Sequence, residues 1–302
     1  MPKVRPTPVS GDASFRRYFR IQAPSGTRIL MDAPPDLEDS RPFVEIASRL
    51  RSARLRAPEV LDFDFELGFG LLEDFGDVLY RDILDESTAD DLLPGLFDVL
   101  EGLASRVSSD GLPAYDGPVL QREMNLFPDW YLDRHRRRPL TGAERRSWDE
   151  LCTALIESAA NQPQVFVHKD FHSCNVLQTP NGPGLIDFQD ALRGPVSYDL
   201  VSLLWDRYIA WPRAQLEEWM LEMRKRLAPR IGPAEWIRRC DLMGLQRNFK
   251  IVGIFARLRY RDGKQGYLEM VPRFYRYLLD VLPRYPEFSD IRNLLEQPEC
   301  AP

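Results

Sequence analysis

The stretch His168–Asn175 reads HKDFHSCN, and Asp187 follows its asparagine by twelve positions within the sequence LIDF. Inside this stretch Asp170 and Asn175 are five residues apart. Phosphoryl transfer needs a carboxylate beside the acceptor hydroxyl, and an amide and a second carboxylate that hold Mg²⁺ on the phosphates. The order Asp, Asn, Asp therefore predicts a phosphoryl-transfer site with Asp170 as the catalytic residue and with Asn175 and Asp187 as metal ligands.

The neighbouring residues predict short strands around a turn. Gln164–Val167 is apolar and β-prone, so it delivers the stretch at the end of a strand. Residues 179–184 (TPNGPG) are dense in turn formers and separate strand-like segments at 175–178 and 184–188. Such a hairpin returns Asp187 to the side of Asp170 and Asn175.

Two other interpretations of the stretch stay open on sequence grounds. In one, the polar residues only anchor a loop through hydrogen bonds. In the other, four alternating residues share one face of an extended strand and bind zinc: His168, Asp170, His172 and Cys174. The zinc interpretation leaves Asn175 and Asp187 without a role.

Bulk properties exclude some classes of function. The chain has 302 residues, 44% hydrophobic content and a net charge of −6, which argues against nucleic acid as a partner because polyanions attract a basic field. No apolar run reaches the length of a membrane span, and no signal-peptide pattern opens the chain. The four cysteines show no paired spacing, which favours a reduced, cytoplasmic setting. The basic run Arg134–Arg138 is expected to be a solvated helix end, with an anion site as the alternative.

The pattern of apolar residues changes near residue 75 and predicts two lobes. Residues 1–75 are expected to form a small β-rich N-lobe that binds nucleotide phosphates, and residues 76–302 a mainly helical C-lobe with the catalytic loop and acceptor site. The fold class is therefore α+β, in the two-lobed arrangement of protein kinases. The N-lobe elements predicted from the pattern are a hairpin of Ser14–Gln22 and Thr27–Asp32, a helix over Ser40–Arg54 capped by Ser40, and strands at Val60–Glu66 and Gly70–Glu73.

Candidate nucleotide contacts lie in the N-lobe. The turn Gly11–Ser14 offers backbone amides to phosphate oxygens, with Ser14 at its end. Strand alternation places Arg17 on the inward face, where a cation needs a carboxylate or phosphate partner. Glu73 and Phe75 lie in a segment suited to an adenine-binding hinge.

These residues resemble the aminoglycoside phosphotransferase and choline kinase-like family of small-molecule kinases. His168-x-Asp170-x-x-x-x-Asn175 and Ile186-Asp187-x-x-Asp190 match its two signature motifs, and Tyr198-Asp199-Leu200 matches a further element. A closer resemblance is to the anomeric sugar kinases of bacterial cell-wall recycling, which phosphorylate N-acetylmuramate and N-acetylglucosamine. The segments that carry it are Gly11–Tyr18, Leu30–Pro35, Leu72–Gly76, Arg122–Tyr131 and Asp187–Ala191.

The resemblance implies a monomeric kinase that uses ATP and Mg²⁺ to phosphorylate the anomeric hydroxyl of an amino sugar in peptidoglycan recycling. One departure is that the phosphate-clamping lysine of kinases is missing, since Met31 or Asp32 stands where it belongs, and Glu45 loses its usual partner. Arg17 is the candidate to replace that charge. Alternatives are an aminoglycoside or other hydroxyl phosphotransferase of the same fold, and a nucleotide-binding regulator without catalysis.

Acceptor recognition is predicted from one helical segment and the end of the second motif. Polar and aromatic side chains suited to a sugar ring are Arg122, Glu123, Asn125, Trp130, Tyr131 and, after the metal-binding aspartate, Asp190. The alternative is that the aromatic residues Phe127, Trp130 and Tyr131 are core at helical spacing. The basic segments Gln246–Lys250 and Arg257–Gly263 are expected to form a solvated helix face, with contact to a substrate carboxylate as the alternative.

Overall fold

The structure is a computed structural model that describes residues 6–9, 15–24 and 26–302. The strands are β1 Thr7–Val9, β2 Arg17–Ala23, β3 Gly26–Asp32, β4 Val60–Asp64, β5 Phe69–Glu73, β6 Gln164–Val167, β7 Val176–Thr179, β8 Gly182–Leu185 and β9 Leu192–Pro195. The α-helices are α1 Arg41–Ser52, α2 Ala89–Arg106, α3 Gly117–Met124, α4 Gly142–Ala160, α5 Tyr198–Leu204, α6 Arg213–Leu227, α7 Pro233–Tyr260, α8 Val271–Val281 and α9 Ser289–Leu295. A π-helix spans Phe127–His135, and short 3₁₀ turns lie at Tyr80–Asp82, Ser173–Asn175, Leu268–Met270, Leu282–Arg284 and Pro286–Phe288.

The N-terminal strands form one antiparallel sheet in the order β1-β2-β3-β5-β4. The predicted hairpin is present as β2 and β3, with a register that runs from Arg17 opposite Asp32 to Ala23 opposite Gly26. Gly26 has a φ of 109°, a conformation that side-chain-bearing residues rarely adopt, so a glycine suits this end of the hairpin. A small antiparallel sheet followed by mostly helical chain confirms the α+β class.

Helix α1 packs through one stripe of its surface. Phe43, Ile46, Ala47 and Leu50 are buried at helical spacing, as in an amphipathic helix that packs along one face. The predicted cap is wrong, because the Ser40 side chain makes no capping hydrogen bond and is itself buried. Proline in the first turn, where no helical N–H partner is needed, starts the helix instead.

Contacts divide the chain into two compact units. The first contains the described residues up to Ser109 together with His168–Ala191, and the second contains Asp110–Val167 and Leu192–Pro302. The segment His168–Ala191 thus packs with the N-terminal residues. This grouping differs from the predicted boundary after residue 75, which stays a prediction about the functional lobes.

Each unit has its own aromatic core. In the first unit the ring of Phe43 stacks on that of Phe188, with centroids 5.1 Å apart. In the second, Phe127, Trp148 and Phe249 form a fully buried cluster with centroids 4.9–5.5 Å apart. Within the described part of the chain, no helix combines the length and the apolar character needed to cross a bilayer.

Candidate active site

The stretch His168–Asn175 follows β6, and its backbone and that of the second motif each contain one uncommon conformation. Lys169 and Asp187 have φ values of 80° and 60°, in the left-handed region that non-glycine residues seldom occupy. Such conformations persist only where the surrounding structure enforces them, and they cluster at functional sites. The predicted strand 184–188 is shorter than expected, since β8 ends at Leu185 and Asp187 lies beyond it. The reason is this left-handed backbone, which an extended strand cannot contain.

Asn175 joins the two motif segments. Its side-chain Nδ2 donates to the backbone oxygen of Asp170 at 3.0 Å and to Oδ2 of Asp187 at 3.3 Å. Its backbone oxygen accepts from the N–H of Ile186 at 3.1 Å. The hairpin of β7 and β8 therefore brings Asp187 to Asn175, and Asn175 also holds the main chain of Asp170.

His168 anchors the start of the loop from inside the protein. The residue is fully buried, and burial lowers the pKa of its imidazole from 6.5 to about 4, although the negative charge of Asp170 acts in the opposite direction. The ring is therefore neutral at physiological pH. A buried neutral imidazole suits a structural role in the loop better than acid–base exchange with a substrate.

The donor set at Asn175 and Asp187 fits Mg²⁺. Both residues are half-buried, and Gln189 Nε2 donates to the Asp187 carboxylate at 2.7 Å, which orients it. Mg²⁺ uses few protein oxygens and keeps water or phosphate oxygens for its remaining positions, so one carboxylate and one amide oxygen suffice. The zinc interpretation fails, because nowhere in residues 6–9, 15–24 and 26–302 do three His, Cys, Asp or Glu side chains gather as metal ligands.

The predicted orientation of Arg17 is wrong. Its side chain is 66% exposed and forms an ion pair with Asp32, which lies opposite it on β3. The buried arginine is Arg16, which is 3% exposed, pairs with Glu38 at 2.8 Å and lies 5.7 Å from the centre of the Phe43 ring. Strand alternation failed here because β2 begins only at Arg17, so Arg16 precedes the sheet and turns toward α1.

An apolar side chain occupies the position of the missing lysine on β3. Met31 is fully buried, and the neighbouring Asp32 faces Arg17. Glu45, the acid that would normally meet that lysine, forms an ion pair with Arg49 one turn along α1 at 2.5 Å. Arg17 is thus an exposed cation beside Asp32, at the end of the β2–β3 hairpin opposite the turn.

The other nucleotide candidates have structural partners. The Glu73 carboxylate pairs with Arg56 at 2.5 Å, so only its backbone stays available to a base. Phe75 is buried with the Arg56 guanidinium 4.8 Å from its ring centre, and it packs against Gly184 of β8. Ser14 and its turn lie outside the described residues.

Of the acceptor candidates on α3, Glu123 belongs to a polar cluster of the second unit, whereas Arg122 is exposed. Glu123 accepts a hydrogen bond from the Tyr115 hydroxyl and lies 3.4 Å from Lys250 Nζ. Lys250 also donates to the Tyr198 hydroxyl at 3.0 Å. Burial is the largest cause that raises the pKa of Tyr115 well above its usual value, so this phenol remains a donor to Glu123.

The remaining acceptor candidates differ in their burial and their partners. Asn125 accepts a hydrogen bond from Gln121 at 3.0 Å, Trp130 is half-buried, and Asp190 is exposed in the first unit. Tyr131 is wholly buried, and its hydroxyl donates to the backbone oxygen of Cys300 at 2.9 Å. The core interpretation therefore holds for Tyr131 and Phe127, while Trp130 is only half-buried.

The expected solvated face on α7 is wrong for its first segment. Every residue of Gln246–Lys250 is buried, and residues 259–263 alone are exposed as predicted. The signal that could have revealed this is the position of the segment in the middle of a 28-residue helix with apolar residues on both flanks. Tyr115, which completes the polar cluster, was missed because nothing in its local sequence marks it.

The basic run Arg134–Arg138 begins at the end of the π-helix, as expected, but it is not wholly solvated. Arg136 donates to the backbone oxygens of Glu299 and Pro298, at 3.1 and 3.2 Å. Arg138 makes a two-pronged ion pair with Glu144, at 2.6 and 2.7 Å, that lowers the pKa of that carboxyl to about 2. These arginines hold the C-terminal segment and the start of α4.

The chain is similar to known phosphotransferases along most of its length. A family model described as "Phosphotransferase enzyme family" matches residues 5–235. An N-acetylmuramate/N-acetylglucosamine kinase of Pseudomonas aeruginosa is 43% identical over 98% of this chain and 89% of that protein. A protein of Neisseria meningitidis with the same name is 37% identical over 95% of this chain and 88% of that one.

Solved structures of kinases share the fold. An ethanolamine kinase of Plasmodium vivax has a TM-score of 0.66 at 12% identity, covering 94% of this chain and 84% of that one. A choline kinase of Streptococcus pneumoniae has a TM-score of 0.63 at 13% identity, covering 90% and 94%. An aminoglycoside phosphotransferase in ternary complex with ADP and hygromycin B has a TM-score of 0.57 at 18% identity, covering 91% and 94%. The kinase-like fold class predicted from the sequence is confirmed.

Proposed function

Because the chain belongs to the phosphotransferase enzyme family, we propose that it is a kinase that transfers the γ-phosphoryl group of ATP to the anomeric hydroxyl of N-acetylmuramate or N-acetylglucosamine. The observation that carries the proposal is the 43% identity, over nearly the whole chain, to a kinase named for these two sugars. The joined arrangement of Asp170, Asn175 and Asp187 supports it, because those side chains are the ones that phosphoryl transfer needs. A role in peptidoglycan recycling belongs to the same proposal.

Asp170 is the residue proposed to act on the acceptor. Its carboxylate orients the anomeric hydroxyl in line with the phosphoryl group and accepts the hydroxyl proton as the new P–O bond forms. The hydrogen bond from Asn175 to the Asp170 backbone restricts the main chain that carries this carboxylate before the sugar arrives. Preorganisation of this kind lowers the entropic part of the barrier.

Asn175 and Asp187 are proposed to hold Mg²⁺. The ion, when bound, neutralises phosphate charge and helps orient the transferred group. The left-handed backbone at Asp187 and the Gln189 hydrogen bond fix the carboxylate where the Asn175 amide can share a ligand with it. Asn175 would bind the ion through its amide oxygen and Asp187 through its carboxylate.

ATP is proposed as the donor, and the complexes of the fold relative with ADP support nucleotide binding at this fold. Arg17 remains the proposed phosphate contact of the N-terminal sheet, because it is exposed and its only described partner, Asp32, lies at the strand end. Ser14 and the backbone at Glu73 and Phe75 complete the proposed nucleotide contacts. On the acceptor side, Glu123, Asn125, Trp130 and Asp190 remain the proposed sugar contacts.

A cytoplasmic, monomeric enzyme belongs to the same proposal. All four cysteines lie in the described part of the chain, and no disulfide joins them, which is compatible with a reducing compartment. Size-exclusion chromatography with light scattering tests the monomer, since a mass near twice 35.0 kDa would contradict it.

The test is ATP consumption by the purified protein against N-acetylmuramate, N-acetylglucosamine and a panel of aminoglycosides, with Mg²⁺ present. We expect turnover with the two amino sugars and a product labile to mild acid, as anomeric phosphates are. Asp170→Asn and Asp187→Asn are each expected to abolish it in a folded protein, whereas Asp149→Asn, at an exposed position of α4, leaves it unchanged.

Each failure has its own meaning. Turnover with aminoglycosides alone would favour a drug-modifying phosphotransferase. Nucleotide binding in a thermal-shift assay without turnover on any acceptor would favour a regulator. Full activity of the Asp170 or Asp187 variant would contradict the assignment of the site and leave the substrate question separate.

A further inference from the structure

Helix α7 carries four residues at helical spacing on one stripe: Gln246, Lys250, Gly253 and Arg257. At Gly253 the helix lies close to the residue before the π-helix, since an added Cβ would lie 2.3 Å from the backbone carbon of Leu126. The stripe therefore packs along the end of α3 and the residues that follow it. Its polar members face a segment that already contains acceptor candidates.

The first two polar members of the stripe have partners in the cluster, although Oε1 of Gln246 is buried without a hydrogen-bond partner. Gln246 Nε2 lies 3.3 Å from the Tyr115 hydroxyl, and Lys250 pairs with Glu123 at 3.4 Å and with the Tyr198 hydroxyl at 3.0 Å. The positive charge of Lys250 is balanced by the carboxylate beside it. Lys250 is thus committed to the cluster and brings little net attraction for an anion.

Arg257 differs from them. Its Nε is buried and has no hydrogen-bond partner, and its guanidinium forms no ion pair with any described residue. Burial is the main cause that lowers its pKa, with the like charge of Arg261 in the same direction. The negative charges of Asp262 and Glu123 act on the pKa of Arg257 in the opposite direction, from a distance. Asp262 forms its ion pair with Arg261, at 2.7 Å, and Glu123 forms its ion pair with Lys250.

A half-buried guanidinium with a buried, unsatisfied donor is costly unless it meets an anion. Arginine presents parallel N–H groups that match a carboxylate in two hydrogen bonds, and the pair is stronger than a neutral hydrogen bond. The charge that remains unbalanced on the stripe is that of Arg257. The site on this stripe is therefore suited to a carboxylate.

The two proposed substrates differ in this respect. N-acetylmuramate carries a lactyl ether with a carboxylate on the ring, whereas N-acetylglucosamine has a neutral hydroxyl at that position. We propose that Arg257 is a specificity-determining residue that binds the lactyl carboxylate of N-acetylmuramate. The inference rests on the proposed function, since it assumes that both sugars are substrates.

The experiment compares Arg257→Met and wild type with three acceptors: N-acetylmuramate, its methyl ester and N-acetylglucosamine. Loss of a hydrogen bond to a charged partner corresponds to roughly a 10- to 100-fold rise in KM for N-acetylmuramate. The kcat value is expected to change little, because the contact is made equally in the ground state and the transition state. The KM for N-acetylglucosamine and for ATP should stay within about twofold of wild type.

The methyl ester provides the matched test on the substrate side. For the wild-type enzyme, the KM for the methyl ester should exceed the KM for N-acetylmuramate by about the factor by which Arg257→Met raises the KM for N-acetylmuramate. Arg257→Met should have about the same KM for the ester and for the acid. Arg257→Lys keeps the charge and should recover part of the affinity for the acid. Arg259→Met, two residues along the same helix and exposed, is the control and should behave as wild type.

Several results would overturn the inference. Equal loss with both sugars in Arg257→Met would make the residue structural, and a raised KM for ATP would make it a phosphate ligand. If that variant does not fold, the comparison of acid and ester on the wild-type enzyme still decides, because equal kinetics for the two would exclude a carboxylate contact. Absence of wild-type turnover with either sugar would instead contradict the proposed function.

Discussion

Replacing His168 by glutamine is expected to reduce the pH dependence of stability in mildly acidic solution. The imidazole is fully buried at the start of the catalytic stretch, and burial lowers its pKa from 6.5 to about 4. Between those two values the unfolded chain binds the proton and the folded protein does not. Stability therefore rises with pH across this window, is fully present above about pH 6.5, and is lost as the pH falls toward about 4.

The size of the effect follows from the two pKa values. A change from 6.5 to about 4 corresponds to on the order of 3 kcal/mol in the free energy of unfolding. The share lost between about pH 7.5 and about pH 5 is about 2 kcal/mol. Because the ring is fully buried, solvent screening does not reduce this value as it would at the surface.

The assay is urea unfolding followed by circular dichroism at several pH values across this range. All other titrating groups are shared by the two proteins, so the difference in stability between wild type and His168→Gln should shrink by about 2 kcal/mol from about pH 7.5 to about pH 5. His135→Gln is the control, because burial also lowers the pKa of His135 but leaves that ring only half-buried beside Tyr260. A smaller change is expected there.

Parallel stability curves for wild type and His168→Gln would refute the reasoning. They would mean that the imidazole accepts its proton in the folded state as readily as in the unfolded chain. A difference that widens toward acid would mean that the charged ring gains a partner in the fold. Either result would remove the argument that His168 is a neutral anchor of the loop.

Further predictions concern the proposed metal ligands and the packing of the β7–β8 hairpin. Asn175→Asp places a second carboxylate about 3.3 Å from that of Asp187, so one of the pair should titrate with a raised pKa and the variant should be less stable relative to wild type at about pH 8 than at about pH 5. Added Mg²⁺ should stabilise this variant more than wild type, as measured by the shift in melting temperature. Gly184→Ala should lower the free energy of unfolding by roughly 1–3 kcal/mol, because the new Cβ would lie 2.7 Å from two ring carbons of Phe75.

Matched controls separate these effects from general sensitivity to mutation. Asn181→Asp lies in the exposed turn of the same hairpin and should show no comparable pH dependence. Gly142→Ala has open space around the new methyl group and should leave stability within about 0.5 kcal/mol of wild type. A pH-independent loss in Asn175→Asp, or an unchanged stability of Gly184→Ala, would contradict the geometry from which the predictions come.

Local patterns predicted much of the catalytic unit. The β2–β3 hairpin, the apolar stripe of α1 and the strand β6 all follow from periodicity and turn residues over a few positions. The spacing of Asp170, Asn175 and Asp187 also sufficed to predict that a hairpin would reunite them. These features were accessible because the interactions that determine them lie close together in the sequence.

Burial of charged side chains was not accessible in the same way. Arg16 and Arg17 are neighbours with the same side chain, yet Arg16 is enclosed against α1 and Arg17 is exposed beside Asp32. Lys250 looked like part of a solvated face and lies in the core beside Glu123. In each case a partner distant in the sequence decides whether the charge can be desolvated.

The sequence by itself therefore determined the fold class and the family and supplied the residues proposed for phosphoryl transfer, because those are encoded in short-range spacing and in similarity along the chain. The tertiary structure alone decided which lysine and arginine side chains have a carboxylate partner. That distinction depends on the packing of α7 against α3, which gives Lys250 a carboxylate and leaves Arg257 without one. The desolvation cost of a buried charge is set by its partners in space, and a linear pattern does not contain them.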